Sequence, residues 1–190
     1  MRLIPTALPD VVIVEPALFR DDRGWFSESW NQAALNTALR ALGLPATRPF
    51  VQDNHSCSKA GVLRGLHYQT APHAQGKLVR VVRGAAFDVA VDIRRKSPTF
   101  GSWAGALLTA ENQRQLWIPE GFAHGFLALE DDTHFLYKTT DVYARDCERA
   151  LRWSDPAIGI CWPLTTLGAA PRVAAKDAAA PLLVAADLPD

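Results

Sequence analysis

The sequence feature that most restricts the possible folds is a series of short apolar runs between residues 50 and 143, separated by turn residues. In the clearest run, residues 87–94, apolar and other side chains alternate with the period of two that is typical of a strand. One face of this strand carries Phe87, Val89, Val91 and Ile93, and the other carries Asp88, Ala90 and Asp92. Further strands are predicted at 77–83, 105–109, 115–118, 125–129 and 134–139. This spacing predicts an all-β protein folded as a closed barrel or jelly roll.

The segments on either side of this region predict little more regular structure. Residues 31–42 have helical spacing of apolar residues, and Gly43 would end that helix. Residues 11–14 predict an edge strand that ends before Pro16. After Pro163 the composition shifts to alanine and proline, which predicts a poorly ordered tail over residues 164–190. We expect one domain at residues 1–178 and a C-terminal tail at residues 179–190.

Composition excludes several classes of protein. The 190 residues carry a formal net charge of zero, so no basic field exists to attract nucleic acid. The three cysteines form no CxxC pair, which fits a reducing cytoplasm rather than a disulfide framework. The N-terminus lacks the apolar core of a signal peptide, and the run at residues 11–14 is too short to span a membrane. We therefore expect a cytoplasmic protein without a membrane or nucleic-acid partner.

The segments at residues 61–69 and 75–81 place Arg64, His67 and Lys77 on one predicted hairpin. Ionisable groups on a half-buried strand surface are costly unless they have a function. A histidine can accept a proton near neutral pH, and a lysine can stabilise a developing negative charge. This combination points to proton abstraction beside a carbonyl group.

The spacing on this hairpin raises a geometric requirement. Arg64 and His67 are three residues apart, so a regular strand would direct them to opposite faces. Both can line one pocket only if the strand contains a bulge or a strong twist, and Gly65 is the natural position for it.

A second segment, residues 117–126, places His124 in an aromatic strand that follows a Pro-Gly turn. Two strands that each carry a histidine in a β-barrel raise the possibility of a cupin metal site, which needs about three histidines and a carboxylate. Gln69 occupies the position of the second histidine, and no carboxylate lies nearby in the sequence. Bound metal is therefore not expected. Farther along the chain, Tyr137 lies on a predicted strand and could donate a proton.

Eight ordered segments together resemble the dTDP-4-dehydrorhamnose 3,5-epimerase family, with the resemblance covering roughly residues 5 to 178. They lie at residues 19–26, 52–56, 63–69, 75–77, 92–99, 119–126, 137–140 and 155–163. The resemblance implies a cupin-type jelly-roll barrel with a few short helices, a homodimer, and a reaction without metal or cofactor.

The resemblance also implies roles for individual residues. His67 would be the general base, Asp177 would orient it, and Tyr137 would be the acid on the opposite face. Lys77, helped by His124, would stabilise the enolate oxygen. Arg64 and Lys176 would contact the diphosphate. The remaining nucleotide and sugar contacts would be made by Arg23, Glu28, Gln52, Asn54 and Glu148. Val142 stands where the family usually has a second tyrosine, so a ring contact is expected to be missing.

The implied reaction inverts C3 and C5 of dTDP-4-keto-6-deoxy-D-glucose to give dTDP-4-keto-L-rhamnose. Both carbons are adjacent to the C4 ketone, so removal of either proton gives an enolate. The absence of a GxGxxG or P-loop segment agrees with chemistry that needs no redox cofactor. The alternatives are an epimerase of a single carbon, a metal-dependent cupin enzyme, and a binder of sugar nucleotides without activity.

Overall fold

The computed structural model describes residues 1–189 and, at residues 166 and 167, the backbone alone. Asp190, the last residue of the predicted tail, lies outside the described residues. The first strands are β1 (Arg2–Pro5), β2 (Val12–Glu15), β3 (Phe19–Asp21), β4 (Gly24–Phe26) and β5 (Gln52–Ser58), with helix α1 (Gln32–Ala41) before β5. The next are β6 (Val62–Gln69), β7 (Lys77–Arg83), β8 (Ala85–Asp92), β9 (Trp103–Thr109) and β10 (Gln115–Ile118). The last are β11 (Phe122–Ala128), β12 (Thr133–Thr139), β13 (Glu148–Ala150) and β14 (Arg172–Val173), followed by helix α2 (Ala175–Ala178). Short 3₁₀ turns lie at Arg145–Cys147, Leu164–Leu167 and Leu183–Ala185.

Two antiparallel sheets form the body of the protein. The first has the order β1–β2–β10–β7–β12–β5. The second has the order β13–β6–β11–β8–β9, with β14 paired in parallel to β6. Strands β3 and β4 form a separate hairpin. The predicted all-β jelly roll with a few short helices is confirmed, and among the described residues no helix has the length and apolar character needed to cross a membrane.

Apolar side chains fill three layers. The central layer includes Val79, Ala90, Leu116, Phe126 and Phe135. The outer face of the first sheet is covered by α1, and the outer face of the second is covered by the C-terminal residues; their clusters include Val14, Leu35 and Leu39, and Val89, Val91, Leu183 and Leu188. Strand β8 is therefore buried on both faces, and its alternation separates two apolar layers rather than a core from solvent.

Helix α1 follows the predicted pattern. The Asn31 side chain caps the helix by accepting a hydrogen bond from the Ala34 N–H, and Leu35 and Leu39 are buried one turn apart. Gly43 has a φ of +75°, a left-handed conformation that commonly follows the end of a helix. The predicted helix is confirmed.

The prediction that residues 11–14 form an edge strand is wrong. Strand β2 lies between β1 and β10, and Leu3 and Ile4 of β1 are opposite Val14 and Ile13. The sequence analysis did not predict β1, which is only four residues long. The edge of the first sheet is therefore β1, whose last residue is Pro5.

The expectation of a poorly ordered tail over residues 164–190 is wrong: Arg172–Val173 and Ala175–Ala178 form β14 and α2, and residues 179–189 pack onto the second sheet. Leu183, Ala186 and Leu188 are buried against the outer face of the second sheet. The Tyr68 hydroxyl donates a 2.7 Å hydrogen bond to the Asp187 carbonyl. The segment orders because its apolar residues have a sheet face to cover. The division at residue 178 stays a prediction, because such packing does not decide where a domain ends.

The loop between β8 and β9 is organised by the buried carboxylate of Asp92. Arg94 donates to it at 2.6 Å, Ser97 at 2.5 Å and Thr99 at 2.6 Å. Burial alone would raise the pKa of Asp92, but these hydrogen bonds outweigh burial and lower the pKa to about 2.

This carboxylate should stabilise the fold in a pH-dependent way. Because the folded pKa lies below the ordinary 3.8, the stabilisation is fully present above about pH 4 and is lost as the pH falls toward 2. The Asp92→Asn variant should lose about 2 kcal/mol of unfolding free energy at pH 7. In urea titrations at pH 7 and pH 3, this difference from the wild type should shrink at pH 3. Asp22→Asn, at an exposed turn, is the matched control. An equal difference at both pH values would contradict the role of the Asp92 charge.

Candidate active site

A cavity of about 460 Å³ opens between the two sheets and contains most of the predicted site residues. The second sheet contributes Arg64, His67 and His124, and the first contributes Asn54, Lys77 and Tyr137. Glu148, Lys176 and Asp177 complete this set from the later part of the chain.

His67 and Asp177 lie within hydrogen-bond distance of each other in the lining of this cavity. The Nε2 atom of His67 lies 2.7 Å from Oδ1 of Asp177, and Oδ2 of Asp177 accepts a 3.2 Å hydrogen bond from the Gly65 N–H. Burial would raise the pKa of Asp177, but the hydrogen bond from His67, the charge of His67 and the Gly65 N–H together lower it. The carboxylate is therefore ionised, and it favours the protonated imidazole that follows proton abstraction.

The predicted bulge in β6 is confirmed. His67 is opposite His124 on β11, whereas Arg64 is opposite Phe126, so three steps on β6 match two on β11. The extra residue brings Arg64 and His67 into one cavity despite their odd spacing. Gly65 is required there because a Cβ atom would lie 2.6 Å from the Gly125 Cα and 2.8 Å from the His124 carbonyl oxygen.

Lys77 is the buried cation of the site. Its Nζ donates a 3.2 Å hydrogen bond to the His67 carbonyl. Burial lowers the pKa of Lys77 to about 8, and the negative charges of Asp88 and Glu148 oppose that shift. The side chain therefore remains mostly protonated at neutral pH. An ammonium in such a poorly solvated position interacts strongly with any oxyanion placed beside it.

His124 is paired with a residue that the sequence analysis did not select. Its Nε2 lies 2.7 Å from Oδ1 of Asp88, and Oδ2 of Asp88 is buried without a hydrogen-bond partner among the described residues. Burial raises the pKa of Asp88 and lowers that of His124, and the nearby Lys77 charge lowers the pKa of His124 further. His124 is thus held neutral, and Lys77 supplies the positive charge of this group.

Tyr137 approaches the cavity from the opposite sheet to His67. Burial raises the pKa of its phenol, and the charge of Arg64 opposes the shift. The phenol therefore keeps its proton at neutral pH, as a proton donor must.

Polar side chains at the rim form a connected group. Glu148 accepts hydrogen bonds from the Lys176 ammonium at 3.2 Å and the Tyr143 hydroxyl at 3.0 Å. Tyr143, the neighbour of Val142, also lines the cavity and presents an aromatic ring there. Gln52 does not line the cavity itself but donates a 2.9 Å hydrogen bond to Asn54, which does.

Besides Gln52, two further predicted contact residues lie outside the cavity lining. Arg23 is paired with Asp21 at 2.6 Å on the β3–β4 hairpin, and Glu28 accepts a 3.2 Å hydrogen bond from Asn31. Neither Arg23 nor Glu28 therefore lines the cavity of its own chain.

Asp88 and Tyr143 are the main residues that the sequence analysis missed. A signal for Asp88 was present, because a carboxylate in an otherwise apolar strand needs a partner. Tyr143 follows the last strand of the first sheet in an irregular segment, where strand periodicity has no bearing.

No three His, Cys, Asp or Glu side chains converge as a metal site within residues 1–189. The expectation of a metal-free site stays a prediction that metal analysis of the purified protein can check.

Comparison with known proteins agrees with this geometry. The sequence model of the family described as dTDP-4-dehydrorhamnose 3,5-epimerase matches residues 5–185. A protein of that name from Salmonella typhimurium is 57% identical over 183 residues, which cover 96% of each chain.

Two solved structures are similar over nearly their whole length. An epimerase from Legionella pneumophila, in complex with dTDP-4-keto-L-rhamnose, has a TM-score of 0.90 and 48% identity, covering 99% of this chain and 97% of that one. A dTDP-4-dehydrorhamnose 3,5-epimerase from Bacillus anthracis, with TDP and PPi bound, has a TM-score of 0.85 and 44% identity, covering 95% and 98%.

The close approach at Gly65 predicts a large mutational effect. Gly65→Ala should lower the free energy of unfolding by about 3 kcal/mol or more, because it combines a left-handed φ of +122° with overlap of backbone atoms. Gly43→Ala is the matched control, since Gly43 also has a positive φ but has no atoms within 4 Å of an added Cβ. It should cost only about 1 kcal/mol. Urea unfolding of both variants tests this, and equal losses would refute the steric argument.

Proposed function

The chain belongs to the dTDP-4-dehydrorhamnose 3,5-epimerase family and is an epimerase that inverts C3 and C5 of dTDP-4-keto-6-deoxy-D-glucose; we propose that His67, Lys77 and Tyr137 carry out this reaction. The observation that carries the proposal is that all three side chains line one cavity, with His67 and Tyr137 extending from opposite sheets. A sugar ring between the sheets would then present one face to the imidazole and the other to the phenol.

His67 removes the proton in the first step. The imidazole takes a proton from C3 or C5, each of which is acidified by the neighbouring C4 ketone. Asp177, 2.7 Å away, stabilises the imidazolium that forms and fixes the orientation of the ring. Because the acidity comes from the substrate's own ketone, we expect no cofactor.

Lys77 stabilises the enolate that remains. Loss of the proton places negative charge on the C4 oxygen, and the buried ammonium is the fixed cation that can offset it. His124, held neutral beside Asp88, can add a hydrogen bond to the same oxygen. The enolate persists long enough to be protonated from the other side.

Tyr137 completes the inversion by giving its proton to the opposite face of the same carbon. The proton removed and the proton returned therefore travel through different residues. Both groups then exchange with water, which introduces solvent hydrogen at each inverted carbon. The same set acts at C3 and C5 because both carbons flank one ketone.

The rim residues would hold the nucleotide diphosphate. Arg64 keeps an unneutralised charge, since its hydrogen bonds go to the Ser58 hydroxyl and the Cys57 carbonyl. Lys176 is the second cation at the rim, while Glu148 and Asn54 contact the sugar and nucleoside and Gln52 orients the Asn54 amide.

We also propose that two copies of the chain form a homodimer in the cytoplasm. Arg23 and Glu28, assigned to substrate binding by resemblance, lie outside the cavity of their own chain. The β3–β4 hairpin near them exposes 63% of Phe19, 54% of Trp25 and 68% of Phe26. Strand β5, beside the cavity, pairs on one side only within the described residues. A hairpin that crosses to a second copy would cover both features, and the three unpaired cysteines suit a reducing compartment.

The chemistry can be tested in heavy water with dTDP-4-keto-6-deoxyglucose. The wild type should introduce deuterium at both C3 and C5, measured by proton NMR. His67→Asn should abolish exchange at both carbons because the base is lost. Tyr137→Phe should reduce the epimerised product by about 100-fold or more while sparing exchange, since only the opposite-face donor is missing.

His134→Asn serves as the control, because His134 is a strand histidine outside the cavity lining. Equal loss of exchange and product in Tyr137→Phe would contradict the two-face mechanism. Deuterium at a single carbon would instead identify an epimerase of one position.

The homodimer predicts a second result. Replacing both Phe19 and Phe26 by serine should convert a dimer into a monomer in sedimentation velocity, because it removes the apolar surface of the hairpin. Leu107→Ser is the matched control, since Leu107 is 49% exposed on β9 of the other sheet. A monomeric wild type, or an intact dimer in the double variant, would refute the proposed interface.

A further inference from the structure

Strand β6 is contacted on both of its faces by the last residues of the chain. On the cavity side, Asp177 binds the His67 imidazole and the Gly65 N–H. On the outer side, the Tyr68 hydroxyl donates to the Asp187 carbonyl at 2.7 Å, and Leu66 lies in the same apolar cluster as Leu188. The chain from Asp177 onward thus contacts both faces of β6, the strand that carries the base.

Asp177 cannot be held in place by its own helix. Helix α2 has four residues and no side-chain cap at its N-terminus. A helix this short is unstable alone, because nucleation is unfavourable and too few hydrogen bonds follow it. The position of the Asp177 carboxylate must therefore be set by the segments that flank the helix.

On the N-terminal side of the helix, Arg172 and Val173 of β14 pair with β6. The segment on the C-terminal side, residues 179–189, is fixed by a small set of polar anchors. Arg152 donates its backbone N–H to the Pro181 carbonyl at 2.9 Å and its Nε to the Ala180 carbonyl at 3.0 Å. Asp155 accepts the Leu183 N–H at 2.6 Å through one oxygen and the Ala157 N–H at 2.8 Å through the other. Asp155 is 3% exposed, so loss of either bond would leave a buried polar group unsatisfied.

We propose that the C-terminal segment, residues 179–189, is a positioning element for catalysis and that Asp155 is its principal positioning residue. The segment holds Asp177 at hydrogen-bond distance from His67, and Asp155 holds the segment through Leu183. Asp155 does not line the cavity, so it acts by way of Asp177 and not on the proposed substrate. This inference rests on the proposed role of His67 as the base.

The test compares Asp155→Asn, Asp177→Asn and the double variant under identical conditions. The asparagine at 155 keeps one acceptor oxygen and loses the other, so the segment should shift while the fold persists. We expect kcat to fall about tenfold with KM unchanged within about twofold, because small displacements of catalytic groups affect the chemical step more than binding. In the Asp177→Asn background, Asp155→Asn should have no further effect on kcat.

Non-additivity separates positioning from simple destabilisation. If Asp155→Asn only reduced the folded fraction, its loss of kcat would multiply with that of Asp177→Asn, and this result would overturn the inference. An unchanged kcat in Asp155→Asn would overturn it as well. Asp131→Asn is the matched control, since Asp131 also accepts a backbone N–H, from Ala60, but on an exposed turn.

Two further comparisons distinguish a failure of this inference from a failure of the proposed base. If Asp155→Asn fails to fold, Tyr68→Phe takes its place, because it removes the outer contact with Asp187. Tyr68→Phe should also lower kcat, by a smaller factor than expected for Asp155→Asn, and it should have no further effect on kcat in the Asp177→Asn background. If Asp177→Asn itself leaves kcat unchanged while His67→Asn abolishes exchange, the inference fails but the proposed base survives. If neither substitution affects the reaction, the proposed function of the site fails.

Discussion

The site depends on the close approach of β6 and β11 at Gly65 and Gly125. A Cβ atom at Gly125 would lie 2.7 Å from the Arg64 carbonyl oxygen, so neither strand tolerates a side chain at this crossing. The bulge inserted here changes the phase of β6 by one residue, which turns Arg64 toward the cavity that also contains His67. Without it, the pleat would place one of the two on the outer apolar layer, where a charge has no partner. The placement of Arg64 and His67 in one site therefore depends on the bulge in β6.

The second constraint is the burial of charge. Lys77 and Asp88 are enclosed between the sheets beside the neutral His124, and removing ionic groups from water costs free energy that pairing only partly offsets. The lowered pKa of Lys77, about 8, is the direct sign of this penalty. The same poor solvation makes the ammonium effective toward an enolate oxygen, since water does not screen it. Stability lost at these three residues is therefore linked to the reactivity proposed for them.

Strand periodicity predicted most of the fold because both sheets are built from short alternating runs. It placed β7, β8, β10 and β12 closely, and the odd spacing of Arg64 and His67 correctly required a bulge at Gly65. Periodicity failed where order depends on distant surfaces. Residues 179–189 are rich in alanine and leucine but show no strand or helix periodicity from which packing could be predicted, and the outer face of the second sheet is where Leu183 and Leu188 are buried. Asp88 was missed for a related reason, since its partner His124 lies on a strand 36 residues away.

Arg23 and Glu28 lie away from the cavity of their own chain. The resemblance to the family assigns both residues to substrate binding. The described fold nevertheless leaves them on an exposed part of the molecule at or near the β3–β4 hairpin. A nucleotide diphosphate held by Arg64 and Lys176 at the rim would extend beyond the enclosed part of the cavity. A cation supplied by a second copy would meet it there without adding a buried charge to the core of either chain. In a dimer of this kind, one chain would enclose the reacting ring, where desolvation assists the chemistry. The other chain supplies contacts to the exposed nucleotide, where a solvated arginine can bind and release.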